Sequence, residues 1–265
     1  MLIDRNNIFE IINKTNTKPD KDYGQNFLVE PLIAEKICDA LDIKDNEKIL
    51  EIGPGLGSLT HYLYQKCNLT VCDIDERMIL FLKGTYPNKV TFIQDDIRKV
   101  DVSGYDKIIG NLPYNITTEL VTYLLLNARN CKKMVLMCQS EASTRFLQTS
   151  GDNYGPTSVL IHLLGKSEKL FVVKPGSFYP APKINSTVFT FIYDENADYN
   201  LAASVYKFAK AMFLNRRKTI YNNLRNYLKD DEKSLSILST LGIKTTARPE
   251  ELSPLMYLKL YNAIL

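Results

Sequence analysis

Histidine is nearly absent: His61 and His162 are the two in 265 residues. The cysteines (Cys38, Cys67, Cys72, Cys131 and Cys138) are five, an odd number, and form no C-x-x-C pair. Zinc sites need three or four such ligands at close spacing, so no metal is expected and the thiols read as reduced core residues. No apolar run approaches the roughly 18 residues of a membrane span, and the amino terminus lacks the basic-then-apolar pattern of a signal peptide. The expectation is a cytoplasmic protein without membrane contact. Repeats and low-complexity tracts are missing too. Net charge is only +3, yet it is unevenly spread. From Leu201 onward eleven Lys and Arg face five Asp and Glu, a surplus of six, which leaves −3 for the preceding 200 residues. A basic C-terminal piece behind a mildly acidic body suits a polyanionic partner.

What is present is an ordinary globular composition, 45% hydrophobic and 24% charged. The first 20 residues form a polar lead with one short apolar patch at Ile8–Ile12. Short apolar runs at 48–52, 69–73, 90–93, 105–110 and 133–138 alternate with helical spacing at 31–41, 59–64, 78–82 and 119–126. That alternation indicates parallel βαβ units, hence a doubly wound α/β domain. Runs at 170–173 and 186–193 read as late antiparallel strands closing the sheet. The polar stretch 194–200 is the best boundary, giving domains 1–193 and 194–265. Beyond it Val205, Phe208, Ala209, Met212 and Phe213, then Ile220, Leu224 and Leu228, have helical periodicity, so the second domain is small and helical.

The first strand hands over to a helix through Glu51-Ile-Gly53-Pro-Gly55-Leu-Gly57. Glycines there permit a tight turn and close approach of a ligand. Asp73, ending the next strand, is placed to accept from ribose hydroxyls. A dinucleotide or S-adenosylmethionine (SAM) fits that plan. The spacing is G-x-G-x-G, whereas a pyrophosphate on a helix amino terminus calls for G-x-G-x-x-G; this favours SAM. Asp96, after the third strand, can then accept from the adenine amine of SAM, with Ile97 giving a backbone contact. The fourth strand runs into Asn111-Leu112-Pro113-Tyr114. Alone, this reads as a turn with proline stopping a strand. As a functional motif it supplies two acceptors, the Asn111 side-chain oxygen and the Leu112 carbonyl, and a ring. Those are the groups needed to grip both hydrogens of an adenine exocyclic amine and stack on its base.

These residues resemble the bacterial small-subunit rRNA adenine dimethyltransferases, relatives of the Erm methyltransferases, over nearly the whole chain. Gly24-Gln25-Asn26-Phe27-Leu28 is similar to the family's N-terminal signature, which closes over SAM. The glycine loop matches without a change, and Asn111–Ile116 resembles the catalytic motif. Phe178-Tyr-Pro-Ala-Pro-Lys183, with Ser186, resembles the loop whose phenylalanine stacks on the target base. Asn215-Arg216-Arg217-Lys218-Thr219 and Arg248–Ser253 resemble the C-terminal hallmarks. Asp73 departs from the glutamate of many members, and Tyr154–Ser158 lacks the usual basic residue. The resemblance implies a Rossmann-like SAM-dependent methyltransferase domain with a small helical domain. It implies dimethylation of two adjacent adenine N6 amines near the 3′ end of 16S rRNA, within the 30S subunit or its precursor, by a monomer. Catalysis would fall to Asn111, Leu112, Pro113, Tyr114 and Phe178. SAM would be held by Gln25, Asn26, Leu28, Gly53, Gly55, Gly57, Asp73, Ile74, Asp96, Ile97 and Asn111, and RNA by Lys183, Arg216, Arg217 and Lys218. An Erm-type enzyme acting on 23S rRNA, a non-catalytic RNA-binding factor and a nicotinamide-dependent oxidoreductase are the alternatives.

Overall fold

The computed structural model describes residues 2–15, 17–20 and 23–265. In chain order the elements are α1 (Ile8–Thr15), β1 (Phe27–Leu28), α2 (Pro31–Asp39), β2 (Lys48–Ile52), α3 (Thr60–Leu63), β3 (Asn68–Asp73), α4 (Glu76–Thr85), β4 (Thr91–Gln94), β5 (Lys107–Asn111), α5 (Thr117–Asn127), β6 (Lys133–Gln139), α6 (Ser140–Leu147), α7 (Pro156–Leu164), β7 (Gly165–Val173), β8 (Phe178–Tyr179), β9 (Ser186–Tyr193), α8 (Tyr199–Phe213), α9 (Ile220–Leu228), α10 (Asp231–Thr240) and α11 (Pro254–Ile264). Seven strands form one sheet in the order β4-β3-β2-β5-β6-β9-β7. β4, β3, β2, β5 and β6 are parallel and β9 joins β6 antiparallel. The fold is the expected α/β arrangement. Its inner strands are buried almost from end to end, as in Ile49–Ile52 and Met134–Cys138, because helices cover both faces of a parallel sheet.

The strand order reverses between β2 and β5, so a crevice opens beyond their carboxyl ends. Ligands of doubly wound sheets bind there. Two smaller features frame it. The N-terminal lead is more structured than its polar composition predicts: α1 turns Ile8, Ile11 and Ile12 onto one face, packed with Phe27, Leu56 and Met78. β1 and β8 pair antiparallel as a separate ribbon, with Phe27 opposite Tyr179 and Leu28 opposite Phe178.

The chain divides into two compact units, residues 1–143 with 168–193, and residues 144–167 with 194–265. The sequence pattern marks a boundary only at 193/194 and leaves 144–167 in the first domain. The segment groups with the second unit because Tyr154 and Val159 are fully buried in its core. There they join Phe208, Met212, Leu224, Leu238, Tyr257 and Leu260. α8 presents Ala202, Val205, Phe208, Ala209 and Met212 to that core at helical spacing and is capped by Asp198, which accepts from the backbone of Asn200 and Leu201. Among the described residues no helix is long and apolar enough to cross a membrane.

Candidate active site

A pocket at the carboxyl ends of β2 and β5 is lined by Tyr23–Leu28, the glycine loop, Glu51 and Asn111–Tyr114. After β2 the backbone takes positive φ at Gly53 (+63°), Gly55 (+54°) and Gly57 (+89°). A Cβ on Gly55 would lie 3.0 Å from the Phe27 ring, so a side chain there would crowd that ring as well as strain the backbone. On the other strand Gly110 sits beside Ile52, where a Cβ would stand 2.6 Å from the Ile52 carbonyl oxygen. Absence of that atom lets β5 run close against β2 and deliver Asn111 to the pocket.

Asn111 Nδ2 donates to the Asn26 carbonyl at 3.1 Å. The reversed amide would set two acceptors face to face, so the bond fixes which atom points away. That atom, Oδ1, is buried and has no hydrogen-bond partner among the described residues. Buried polar atoms are nearly always paired; one left over inside a pocket marks where a ligand's donor belongs. Leu112 donates its N–H to the Met137 carbonyl at 2.9 Å, which anchors the turn to β6. Thr117, on the first turn of α5, donates to the Pro113 carbonyl at 2.9 Å. The Tyr114 hydroxyl lies 3.1 Å from that of Ser186 on β9, and burial raises its pKa. Backbone and ring are therefore both held before any ligand arrives.

Acidic groups ring the same edge. Glu51 is 1% exposed and lines the pocket; Oε2 accepts from Thr60 at 2.7 Å while Oε1 has no partner among the described residues. Burial pushes its carboxyl up to about 8, against the opposing Thr60 hydrogen bond. Such a group is satisfied by an incoming cation or donor. Its signal in the sequence is a glutamate within a strand otherwise buried and apolar, Ile49-Leu-Glu-Ile52, where unpaired charge is rare. Asp73 ends β3, where Oδ2 accepts from the Gly55 N–H at 3.4 Å and Oδ1 from the Asp75 N–H at 2.9 Å. Burial raises it to about 6 in spite of those bonds. Exposed Ile74 follows it, and Asp96 and buried Ile97 follow β4, next along the same edge.

Several residues expected at the site have partners within the chain. Asp96 caps the turn at Ile97–Lys99, and its carboxylate is gripped by the Arg98 guanidinium, which holds its pKa down and which also reaches Glu119. Any adenine contact there has to share an occupied carboxylate. Gln25 has both ends of its amide engaged: Oε1 accepts from Asp20 N–H at 2.9 Å and Nε2 donates to Asp75 at 2.8 Å. It works as a strut. Asn26 and Leu28 line the pocket, and the Leu28 carbonyl accepts from Ser58 at 2.6 Å. Phe178 is 3% exposed, packed with Leu28, Val173 and Val188, and absent from the pocket lining. Its pairing on β1 sets it against the core. Arg216 donates to the Gly151 carbonyl at 3.0 Å and lies 3.6 Å from Glu250, so it braces the helical unit. Arg217, Lys218 and Lys183 are exposed. Among the described residues no cluster of His, Cys, Asp or Glu could hold a metal.

The cradle suits a methyl donor of the SAM type: glycine backbone open to close approach, a buried Glu51 carboxyl with one oxygen unpartnered among the described residues, and Asp73 for hydroxyls. Comparisons agree. A family model described as ribosomal RNA adenine dimethylase matches residues 3–265. A Malacoplasma penetrans protein described as ribosomal RNA small subunit methyltransferase A is 35% identical over 264 residues, covering 97% of this chain and 96% of its own. A Staphylococcus haemolyticus protein of the same description is 36% identical over 91% of this chain and 88% of its own. Among solved structures, a dimethyladenosine transferase from Plasmodium falciparum superposes with a TM-score of 0.76 at 28% identity, covering 88% of this chain and 95% of that one. The 23S rRNA methyltransferase ErmE shares the fold, with a TM-score of 0.68 at 20% identity. The chain belongs to the ribosomal RNA adenine dimethylase family, with SAM as its methyl donor.

Proposed function

We propose that the enzyme dimethylates the N6 amines of two adjacent adenines near the 3′ end of 16S rRNA, acting on the 30S subunit or its precursor. The observation that carries the reaction is Asn111, its amide nitrogen tied to the Asn26 carbonyl and its oxygen, in the pocket, unpartnered among the described residues. The small-subunit target rests on the relatives described as small subunit methyltransferases.

An adenine amine is a poor nucleophile because its lone pair is delocalised into the ring. Asn111 Oδ1 and the Leu112 carbonyl accept its two hydrogens and favour the pyramidal nitrogen that attacks. Residue 113, a proline, offers no N–H to compete for the base. Tyr114 stacks on the flipped-out ring, held by Ser186. Bound SAM supplies an electrophilic methyl on a sulfonium. Gly53–Gly57, Glu51, Asp73 and the Asn26–Leu28 segment would hold it. As the new N–C bond forms the methyl's bond to sulfur breaks, and the cationic amine then gives one proton to water. A single hydrogen is left, and one acceptor suffices to orient the second attack. Most of the rate comes from positioning, for which well-oriented reactants gain about 7–11 kcal/mol. Outside this pocket, exposed Arg217, Lys218 and Lys183 supply phosphate contacts.

The test is transfer of labelled methyl from SAM to unmethylated 30S and 50S subunits, with mass analysis of the nucleosides. Dimethyladenosine at neighbouring positions of 16S rRNA is expected. Label in 23S rRNA alone, or monomethyladenosine as the end product, overturns the proposal.

A further inference from the structure

We infer that Arg5 is a positioning residue for methyl transfer, closing the open end of the β1–β8 ribbon and fixing its register. The ribbon is short, with Phe27 opposite Tyr179 and Leu28 opposite Phe178. Two-stranded ladders are marginal without outside support. One more backbone bond follows, Val29 N–H to the Ser177 carbonyl at 2.9 Å. The same register carried a step further sets Glu30 against Gly176. There the chains part, Glu30 to cap α2 and Gly176 into the turn Pro175–Ser177. Arg5 bridges that pair. Its Nε and Nη2 meet Glu30 Oε1 at 2.7 and 2.6 Å, and Nη2 also donates to the Gly176 carbonyl at 2.7 Å. A guanidinium stands where the next rung of the ladder would be.

The lead that carries Arg5 is itself fixed. Asp4 Oδ1 accepts from the N–H groups of Asn6 and Asn7 at 2.8 and 3.0 Å, and Asn7 Oδ1 accepts from the Asp4 N–H at 3.0 Å. This reciprocal cap holds Arg5 in the turn that leads into α1. Ile3, Ile8, Ile11 and Ile12 are buried with Phe27 and Val29 of the β1 arm. Phe9 sets its ring edge-on to Tyr179 of the β8 arm at 4.7 Å. The lead therefore grips both arms. The β1 arm carries the Asn26 carbonyl that orients Asn111, and its Leu28 carbonyl accepts from Ser58, next to the glycine loop. The β8 arm opens the Phe178–Lys183 loop, which in the proposed reaction meets the target base. A slip of one residue would exchange the faces of Phe178 and Tyr179, so a locked register aligns the donor side with the base side. Arginine suits this task because its planar fork reaches a carboxylate and a carbonyl together, whereas the ammonium of lysine is a point charge.

The inference rests on the proposed adenine methylation, and two readouts separate them. Hydrogen exchange on the full chain follows peptides covering 26–30 and 176–180, with 48–52 of β2 as the internal control. Kinetics with 30S subunits compare wild type, Arg5→Ala, Arg5→Lys and the Arg5→Ala, Glu30→Ala pair. In Arg5→Ala the ribbon peptides should exchange roughly 5- to 15-fold faster while β2 is unchanged. That is the low end for a hydrogen bond to a charged group, because the Arg5 side chain is 59% exposed. At saturating SAM and RNA, kcat should fall about tenfold, where a 1 Å misplacement remote from the chemistry can cost ~10². Arg5→Lys should be intermediate, and the double variant should lose no more than Arg5→Ala alone. Unchanged ribbon exchange in Arg5→Ala, or a rise shared evenly with β2, overturns the inference. So does a loosened ribbon with kcat undiminished. Wild type inactive on 30S, with the ribbon still loosened by Arg5→Ala, counts against the small-subunit target and for the clasp.

Discussion

Replacing Asn111 by alanine removes one of two acceptors from the reacting amine. Deleting a single preorganised partner of a transition-state charge typically costs 10²–10³ in kcat, and the remaining Leu112 carbonyl cannot hold two hydrogens in the required directions. A fall of about 10²–10³ in the single-turnover rate is expected. The structure adds a second cost. The Asn26 carbonyl, part-buried, loses its 3.1 Å donor, and the full penalty of about 1–3 kcal/mol for an orphaned buried acceptor is an upper bound. Melting should therefore come earlier, while a domain stable by about 5–15 kcal/mol stays folded at 25 °C. SAM affinity, spread over the glycine loop and the acidic groups, should change only a few-fold. Asn111→Asp separates the two tasks of the amide. As a neutral acid it can donate to Asn26 and still offer an acceptor. Ionised, it loses the donor and sets a charge against a carbonyl, so its activity should rise as pH falls. Rapid-quench assays with labelled SAM and unmethylated 30S subunits, alongside calorimetry, read both quantities. Turnover of the alanine variant within a few-fold of wild type, or a loss explained by SAM affinity, refutes the role.

Glu51 gives a pH signature. Its carboxyl titrates near 8 in the native state and near 4.5 unfolded. Between those values the native state binds more protons, so its contribution to stability declines as pH rises from about 5 to 8 and then levels. Glu51→Gln should flatten the fall in melting temperature across that window, and it should weaken SAM binding at pH 8. An unchanged pH profile would show Glu51 to be uncoupled. In the helical unit, Arg217→Ala with Lys218→Ala should weaken RNA binding and flatten its salt dependence, by about 0.7 in log–log slope for each single-strand phosphate no longer neutralised. Arg216→Ala should instead lower stability by about 1 kcal/mol, since its hydrogen bond is to the Gly151 carbonyl and its ion pair to Glu250. Gly110→Ala should abolish soluble folding or donor binding, because the new Cβ meets the Ile52 carbonyl at 2.6 Å. A Gly110→Ala protein that is well folded and active would contradict the close strand approach.

The parts of the molecule set by local pattern are legible in the sequence. β2 and β9 run over 48–52 and 186–193 and α9 over 220–228, as the spacing predicts, since each is a continuous apolar run or a helical stripe. The glycine loop and Asn111 stand out from strand ends alone, because the doubly wound topology forces successive carboxyl termini onto one crevice. Segment 144–167 is illegible for the opposite reason. Its helices belong to a core whose other members, Phe208 to Leu260, lie far along the chain, and no local window contains that information. The same holds for partners. Nothing in Asp96-Ile-Arg98 or Asn215-Arg-Arg217 tells which cation stays free and which folds back on its own carboxylate or carbonyl.

Phe178 shows how little separates the two outcomes. In Gly176-Ser-Phe-Tyr-Pro-Ala-Pro two adjacent rings compete for one buried side. The choice is made by pairing with β1, where Leu28 stands opposite Phe178 and Phe27 opposite Tyr179. Successive strand residues face opposite sides, so a slip of one residue would exchange the rings. The register is fixed by a bond outside the motif, Val29 N–H to the Ser177 carbonyl at 2.9 Å, and by the fit of Phe178 against Val173 and Val188. Tyr179 is left on the other side, edge-on to Phe9 at 4.7 Å. A motif names the residue types available to a site, but which one faces the ligand is settled by long-range pairing. Here that pairing places Phe178 against the core.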